Sequence, residues 1–452
     1  MNRIAGRAMA LFLLVAVLIG GFTFFVAEFV SDGADWIISS GSPHVYNGGN
    51  IGCGVVVDRD NTLLLNLNDG RTYSNLLSLR QATVHWVGDR YGSISAPALP
   101  HYAEKLVGYD LVNGVYNYGQ TGGVAKLTLS AKAQTAALEA MGDYKGTVAV
   151  YNYKTGELLC AVTTPTYDPD NMPTLTDGDT ALEGLYVNRF TQAAYIPGSI
   201  FKVVTLAAAL EENPDIVNKI FTCTGSLKLG EQEITCEDVH GQQDLKSAFC
   251  NSCNCAFAQI VLELGGETLA GYVEKFGVVD AVSFDGITTE KGNFDVTYAG
   301  ELSIAWAGIG QYLDLVNPCA FLNFVGAVAN GGKVTNPYLV EEITVNSNTT
   351  YETRYTPGDR IMSEETAAIV RQYMQNNVTV KYGPENFPGF TVGAKTGTAE
   401  VGGEKKPNAM LTGFVADEEY PLAFIVCVED AGYGRAVCVP IVSKVLSALQ
   451  NG

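Results

Sequence analysis

Three short stretches carry residue types able to transfer an acyl group. The first is Ser199-Ile200-Phe201-Lys202, preceded by Pro197-Gly198 and continued by a run of helix formers, FKVVTLAAALEE. Pro197 to Ser199 marks a helix N-terminus, so Ser199 and Lys202 share one face. A serine hydroxyl is a weak nucleophile until a base takes its proton. Lysine becomes that base when burial and a neighbouring cation lower its pKa. Backbone N–H groups at a helix start can stabilise an oxyanion. Alone, the pair reads first as a helix cap beside a solvated lysine.

The second stretch is Ser252-Cys253-Asn254, between two helical patterns, DLKSAFC and AFAQIVLELG. In turning or extended backbone, its serine and asparagine can enter one cavity; alone, it is an ordinary polar helix junction. The third is Lys395-Thr396-Gly397-Thr398, inside a strand-like run. A glycine within a strand marks close approach of another backbone or a ligand. Threonine hydroxyls and an ammonium group suit a substrate carboxylate. In a chain of net charge -20, a local cation also offsets the repulsion of an anionic substrate. A second copy, Lys154-Thr155-Gly156, is set aside as a hairpin turn that needs its glycine.

Ser252 follows Ser199 by 53 residues, and Lys395 follows Ser252 by 143. In this order the three form the motif trio of penicillin-binding proteins and class A β-lactamases. The segments NRFTQAAYIPGSIFKVVTLAAALE, TPTYDPDN, NSCNCAFAQ, GIGQYLDLVNPCAFLNFVGAVANGG and VGAKTGTAE resemble the transpeptidase domain of class B penicillin-binding proteins. The likeness runs over about 146–452, and more faintly before it. The resemblance implies a D,D-transpeptidase that cross-links peptidoglycan stem peptides, with no metal or organic cofactor. Ser199 would attack the D-Ala–D-Ala carbonyl, with Lys202 as its base. Ser252 would relay a proton and Asn254 would hold the substrate amide. Lys395 would supply positive potential, while Thr396, Gly397 and Thr398 hold the terminal carboxylate. The N–H groups of Ser199 and Thr398 would form the oxyanion hole, and β-lactams would acylate the same serine.

The resemblance also implies a glycosyltransferase partner in elongation or division. A D,D-carboxypeptidase, which gives the acyl group to water, is the nearest rival. A β-lactamase fits less well, since the loop between the second and third motifs shows no convincing acidic residue for deacylation. A β-lactam sensor without turnover is disfavoured by the short segment, about seven residues, before the first apolar run. The family's opening pattern, Arg-Gly-x-Ile-x-Asp-Arg-Asn-Gly, is represented by Cys53 to Asn61 without its first Arg and last Gly. The stretch of about 95 residues before the catalytic domain is too short for a glycosyltransferase domain.

Positioning these motifs requires a large core, and 47% hydrophobic against 17% charged residues supplies one. The 452 residues suggest about three units. Ala8 to Ala27 carries no charge; twenty such residues span about 30 Å. Arg3 and Arg7 precede it and Glu28, Asp32 and Asp35 follow, which places the rest of the chain outside the cell membrane after one crossing. A cleaved signal peptide would have a shorter apolar core. The expected units are an anchor over 1–30, a spacer and small β-rich module over 31–125, and the transpeptidase domain over 126–452. GVVVDRD, TLLLNLN and ATVHWVGD read as strands of the module, and Lys126 to Ala140 as a helix. GTVAVYNY and LLCAVTTP form a hairpin, helices dominate from Tyr195 to about Ala329, and three strands and a helix close the chain. The expected fold is α+β, of the β-lactamase/transpeptidase kind: an antiparallel sheet joining both ends of the domain, with an inserted helical lobe.

With 48 acidic against 28 basic residues, nucleic-acid binding is excluded as a main role. The four histidines, His44, His85, His101 and His240, show no paired metal-ligand spacing. Of the ten cysteines, Cys223 and Cys236 flank TGSLKLGEQEIT, a hairpin turning near Gly230. That arrangement allows a disulfide or two free thiols. Cys250 and Cys253 share a helix face but Cys255 does not, so the trio reads as buried thiols rather than zinc ligands.

Overall fold

Helix α1 (Asn2–Ile37) contains an exposed apolar stretch, Arg3–Gly33, of mean hydropathy 2.6, long enough to cross a membrane. The computed structural model describes residues 2–451 except 38–45, 48–49, 69, 108, 111–113, 116–121, 177, 179, 356 and 404. Strands β1 (Val55–Val57), β2 (Leu63–Asn66) and β3 (Thr72–Tyr73) come next, consistent with the first two strand-like runs. The third run, ATVHWVGD, lies instead mostly in helix α2 (Leu77–Val87), which ends at Gly88 with φ +77. Leu79 and every residue from Ala82 to Val87 are buried in it, so this end of the helix is enclosed on all sides. A run buried on every side shows no helical period, which is why the short window suggested a strand. Tertiary bonds hold the helix in place: Gln134 Nε2 donates to Ala82 O (2.9 Å) and Trp86 Nε1 to Ala161 O (2.6 Å).

The helix expected from Lys126 is also corrected. Strand β4 (Val124–Leu127) occupies its start, and helix α3 (Ala131–Met141) begins only after Ser130. Ser130 Oγ caps that helix by accepting from Ala133 N at 3.3 Å. The hairpin of β5 (Gly146–Asn152) and β6 (Leu158–Thr164) turns at Gly156, φ +90, as expected. The helical lobe then follows. Its elements include α4 (Lys202–Glu212), the strands β7 (Ile220–Cys223), β8 (Ser226–Leu229), β9 (Gln232–Thr235) and β10 (Gly241–Asp244), and helices α5 (Leu245–Cys250), α6 (Asn254–Leu264) and α7 (Pro318–Ala329), with the helices Gly266–Lys275 and Glu301–Ala307 between the last two. Hairpin β11 (Val340–Val345) and β12 (Asn348–Glu352) returns to the first sheet, whose order is β12-β11-β4-β1-β2-β3. Only β1 and β4 pair in parallel there. Residues late in the chain therefore complete a sheet begun near its start.

Helix α8 (Glu364–Asn377), strands β13 (Val392–Ala399), β14 (Asn408–Val415) and β15 (Leu422–Val428), and helix α9 (Gly434–Gln450) finish the chain. The second sheet, β6-β5-β15-β14-β13, is antiparallel throughout. Side-chain alternation divides its two faces. Phe424, Val426 and Val428 join the core with Ile441, Val442 and Val445 of α9. Ala423, Ile425 and Cys427 join the core with Phe324, Val325 and Val328 of α7. Both faces are covered, so β14 and β15 are buried at every position. Strand β13 is one of its two edges, β6 the other.

Phe424 is fully buried in this sandwich. Phe424→Ala is expected to cost about 3–5 kcal/mol of stability. A thermal-unfolding midpoint equal to that of the wild type would contradict its placement.

Candidate active site

The nucleophile motif lies on a 3₁₀ turn, Gly198–Phe201, that feeds α4. Gly198 has φ +53, and a Cβ there would lie 2.6 Å from Thr398 O. A Cβ on Gly397 would lie 3.0 Å from Ile200 Cγ2 and 3.1 Å from Pro197 O. The turn and the edge strand β13 thus meet backbone to backbone, an approach that glycine permits on both sides. A third glycine closes the corner: a Cβ on Gly434, the first residue of α9, would stand 2.5 Å from Gly397 O.

The five polar residues singled out for catalysis converge here. Lys202 Nζ donates to Ser199 Oγ (3.1 Å), Ser252 O (2.6 Å), Ser252 Oγ (3.2 Å) and Asn254 Oδ1 (2.7 Å). Lys395 Nζ donates to Ser252 Oγ (2.9 Å) and Thr396 O (2.9 Å). Lys202 is 0% exposed and Lys395 1%. Neither forms an ion pair with a carboxylate among the described residues. The rings of Phe257 and Phe249 lie 5.7 Å from Lys202 Nζ and 5.9 Å from Lys395 Nζ. Burial pulls the Lys202 ammonium down to about 8. Burial, and then repulsion by Lys202, also pull Lys395 well below its ordinary value. The two groups share Ser252 Oγ, so protonating either one disfavours protonating the other.

Ser252 has φ +53, a left-handed conformation uncommon for serine, at the junction of α5 and α6. The turn brings its carbonyl and hydroxyl to the same ammonium group. Asn254 is held from behind, with Nδ2 donating to Thr235 O at 2.9 Å. Thr396 and Thr398 are half-buried and line one cleft with Ser199, Ser252, Asn254 and Gly397.

Sequence reading missed Tyr382 and Arg435. The Tyr382 hydroxyl accepts from Thr396 N (3.0 Å) and lies 3.0 Å from Thr396 Oγ1, fixing the rim of the cleft. Arg435, in the first turn of α9, adds a cation to the cleft wall. Neither belongs to a motif, and only the fold brings them near β13. The sequence left two states open for Cys223 and Cys236. Cys223 and Cys236 are free thiols, not a disulfide. Cys253 keeps company with Cys223, Cys236 and His240, whose donor atoms all lie within 4.8 Å of one another. Cys250 and Cys255 are outside this set. The signal was a spacing, Cys-x₁₂-Cys-x₃-His-x₁₂-Cys over 223–253, hidden by treating thiols and histidines separately.

A nucleophile beside a buried lysine, a strained Ser-x-Asn turn and a Lys-Thr-Gly edge strand define a serine acyltransferase site. A family model for the penicillin binding protein transpeptidase domain matches residues 146–447. The chain belongs to that family, in its class B branch. It is 28% identical over 388 residues to peptidoglycan D,D-transpeptidase PbpA of Mycolicibacterium smegmatis, covering 77% of each chain. It is 29% identical over 344 residues to stage V sporulation protein D of Bacillus subtilis, covering 71% of this chain and 52% of that one. The fold is similar to that of penicillin-binding protein A from M. tuberculosis, solved as a ceftriaxone acyl-enzyme, with TM-score 0.77 and 24% identity over 88% of this chain and 98% of that one.

Gly198→Ala is expected to push the nucleophile turn off β13 and slow acylation by penicillin about 100-fold, as misplacement of a reacting group does. Stopped-flow acylation rates at the wild-type value would show that the close approach is not needed.

Proposed function

We propose that this protein is a peptidoglycan D,D-transpeptidase working through an acyl-enzyme at Ser199. The observation that carries the proposal is the buried Lys202 ammonium, 3.1 Å from the Ser199 hydroxyl and without a carboxylate partner among the described residues. Neutral Lys202 takes the Ser199 proton as Oγ attacks the carbonyl of the penultimate D-Ala. The N–H groups of Ser199 and Thr398 hold the oxyanion. The peptide C–N bond breaks, and the proton passes by way of Ser252 to the departing D-Ala amine. An amine from a second stem peptide then attacks the ester, forms the cross-link and restores the serine. Asn254 orients the substrate amide. Lys395, with Thr396, Gly397 and Thr398, receives the terminal carboxylate. That negative charge favours the protonated form of Lys395 and leaves Lys202 as the base. A β-lactam mimics the same dipeptide and acylates Ser199.

The remaining chain serves delivery. Residues 1–30 anchor the protein by one membrane crossing, with the catalytic domain on the outer side, where peptidoglycan lies. The module within 31–125 acts as a pedestal for the domain at 126–452, tied to it by the strands of hairpin β11–β12. A glycosyltransferase of the elongation or division machinery supplies the glycan strands.

A fluorescent penicillin should label the wild-type chain covalently and fail to label Ser199→Ala; labelling of that variant would remove Ser199 from the mechanism. Lys202→Ala should slow acylation about 100- to 10,000-fold, the range for loss of a general base. Because the neutral amine is the active form, acylation should rise with pH and level off above about 8. A flat profile between pH 6 and 9 would exclude Lys202 as the base. With a thioester stem-peptide analogue and a D-amino acid, the enzyme should form the exchanged product. Hydrolysis alone would identify a carboxypeptidase.

A further inference from the structure

The excursion between α4 and α6 contains a cluster that acyl transfer does not use. Cys223 closes β7, Cys236 follows β9, His240 precedes β10, and Cys253 caps α6. Cys236 Sγ lies 3.9 Å from Cys253 Sγ and 3.5 Å from His240 Nδ1. A tetrahedral zinc ion, with Zn–S near 2.3 Å and Zn–N near 2.05 Å, requires edges of about 3.7 Å between sulfurs and about 3.5 Å between sulfur and nitrogen. We propose that Cys223, Cys236, His240 and Cys253 form a structural zinc site that holds the Ser252-Cys253-Asn254 turn in its working shape.

Three further features support this set. First, backbone N–H groups face the sulfurs. Cys253 Sγ accepts from Ala256 N at 3.4 Å at the N-terminus of α6, where the helix dipole favours negative charge. The backbone N–H groups of Asn254 and Cys255 are directed at Cys236 Sγ. Second, the donors suit zinc rather than magnesium or calcium, which prefer oxygen. Four protein ligands fill the tetrahedron and leave no position for a reactive water, so the ion's role is structural. Third, a disulfide would satisfy the cluster poorly. It would need sulfurs about 2.05 Å apart, and it would strand one thiol and the imidazole.

On binding, three thiols each lose a proton, the imidazole binds as the neutral base, and the site carries one net negative charge. The link to catalysis is covalent. Cys253 lies between Ser252, held at φ +53, and Asn254, and the side chains of both meet Lys202. A metal on Cys253 ties that strained turn to the β8–β9 hairpin through Cys236. The bond from Asn254 Nδ2 to Thr235 O, next to Cys236, reinforces the same junction.

The test uses the full-length protein purified in detergent without chelator. Elemental analysis should find one zinc per chain. Cobalt in its place should show thiolate-to-cobalt charge transfer and the visible bands of a tetrahedral site. Cys223→Ala and His240→Ala should each lose the metal, while Ser199→Ala, which cannot be acylated, should keep a full equivalent. Ser199→Ala thus separates metal binding from the proposed reaction. Cys255→Ala should also keep the metal, and loss there with retention in Cys223→Ala would overturn the ligand set. Removing zinc with a strong chelator should slow penicillin acylation about 100-fold, with recovery on adding one equivalent of zinc. Metal-free protein with the full acylation rate, or native protein with two of these cysteines joined in a disulfide, would overturn the proposal.

Discussion

The structure depends on two lysine ammonium groups held out of water, neither in an ion pair with a carboxylate among the described residues. An ion in that setting must be satisfied by neutral oxygens or lose its charge. Lys202 has four such oxygen contacts, from Ser199, Ser252 and Asn254, and Lys395 has two, from Ser252 and Thr396. A glutamate at the same place would keep Lys202 charged and remove its use as a base. Neutral acceptors solvate the ammonium enough to fold around it and still leave its proton easy to lose. Ser252 Oγ, the shared acceptor, is where the two charges oppose each other.

That arrangement places demands on the scaffold. The nucleophile turn must touch the edge of the antiparallel sheet, and glycines at 198 and 397 allow the contact. The edge must not move, and strands buried on both faces behind it give β13 a stiff support. The Ser-x-Asn turn must hold a left-handed residue, so neighbouring structure must hold the backbone against its own preference. The thiol and imidazole cluster around Cys253 sits at that point of strain. The strands around it are short, and β8 and β9 pair only with each other.

The first sheet shows a different economy. Strands β1 to β4 lie within residues 55–127, while β11 and β12 lie within residues 340–352. A chain that adds a late hairpin to an early sheet couples the two parts by backbone hydrogen bonds instead of a sliding surface.

Local pattern was enough for much of this protein. The uncharged run at Ala8 to Ala27, the strands around Lys395, the amphipathic C-terminal helix and the three motifs were legible because each is short, and its chemistry or period lies in neighbouring residues. Where neighbours mislead, the reading failed. ATVHWVGD is rich in β-branched and aromatic residues, yet it folds as a helix because burial of Leu79, Ala82, Thr83 and Trp86 outweighs weak local preference. Lys126 lies in a strand because β1 and β11 pair on either side of it. Residue types and their order along the chain determined the kind of chemistry. Tertiary structure decided the rest: that Lys202 loses its water, that Tyr382 holds Thr396 and Arg435 lines the cleft, and that Cys223, Cys236, His240 and Cys253 meet from three separate stretches of chain. Desolvation and convergence depend on distance in space, and separation along a chain does not encode that distance.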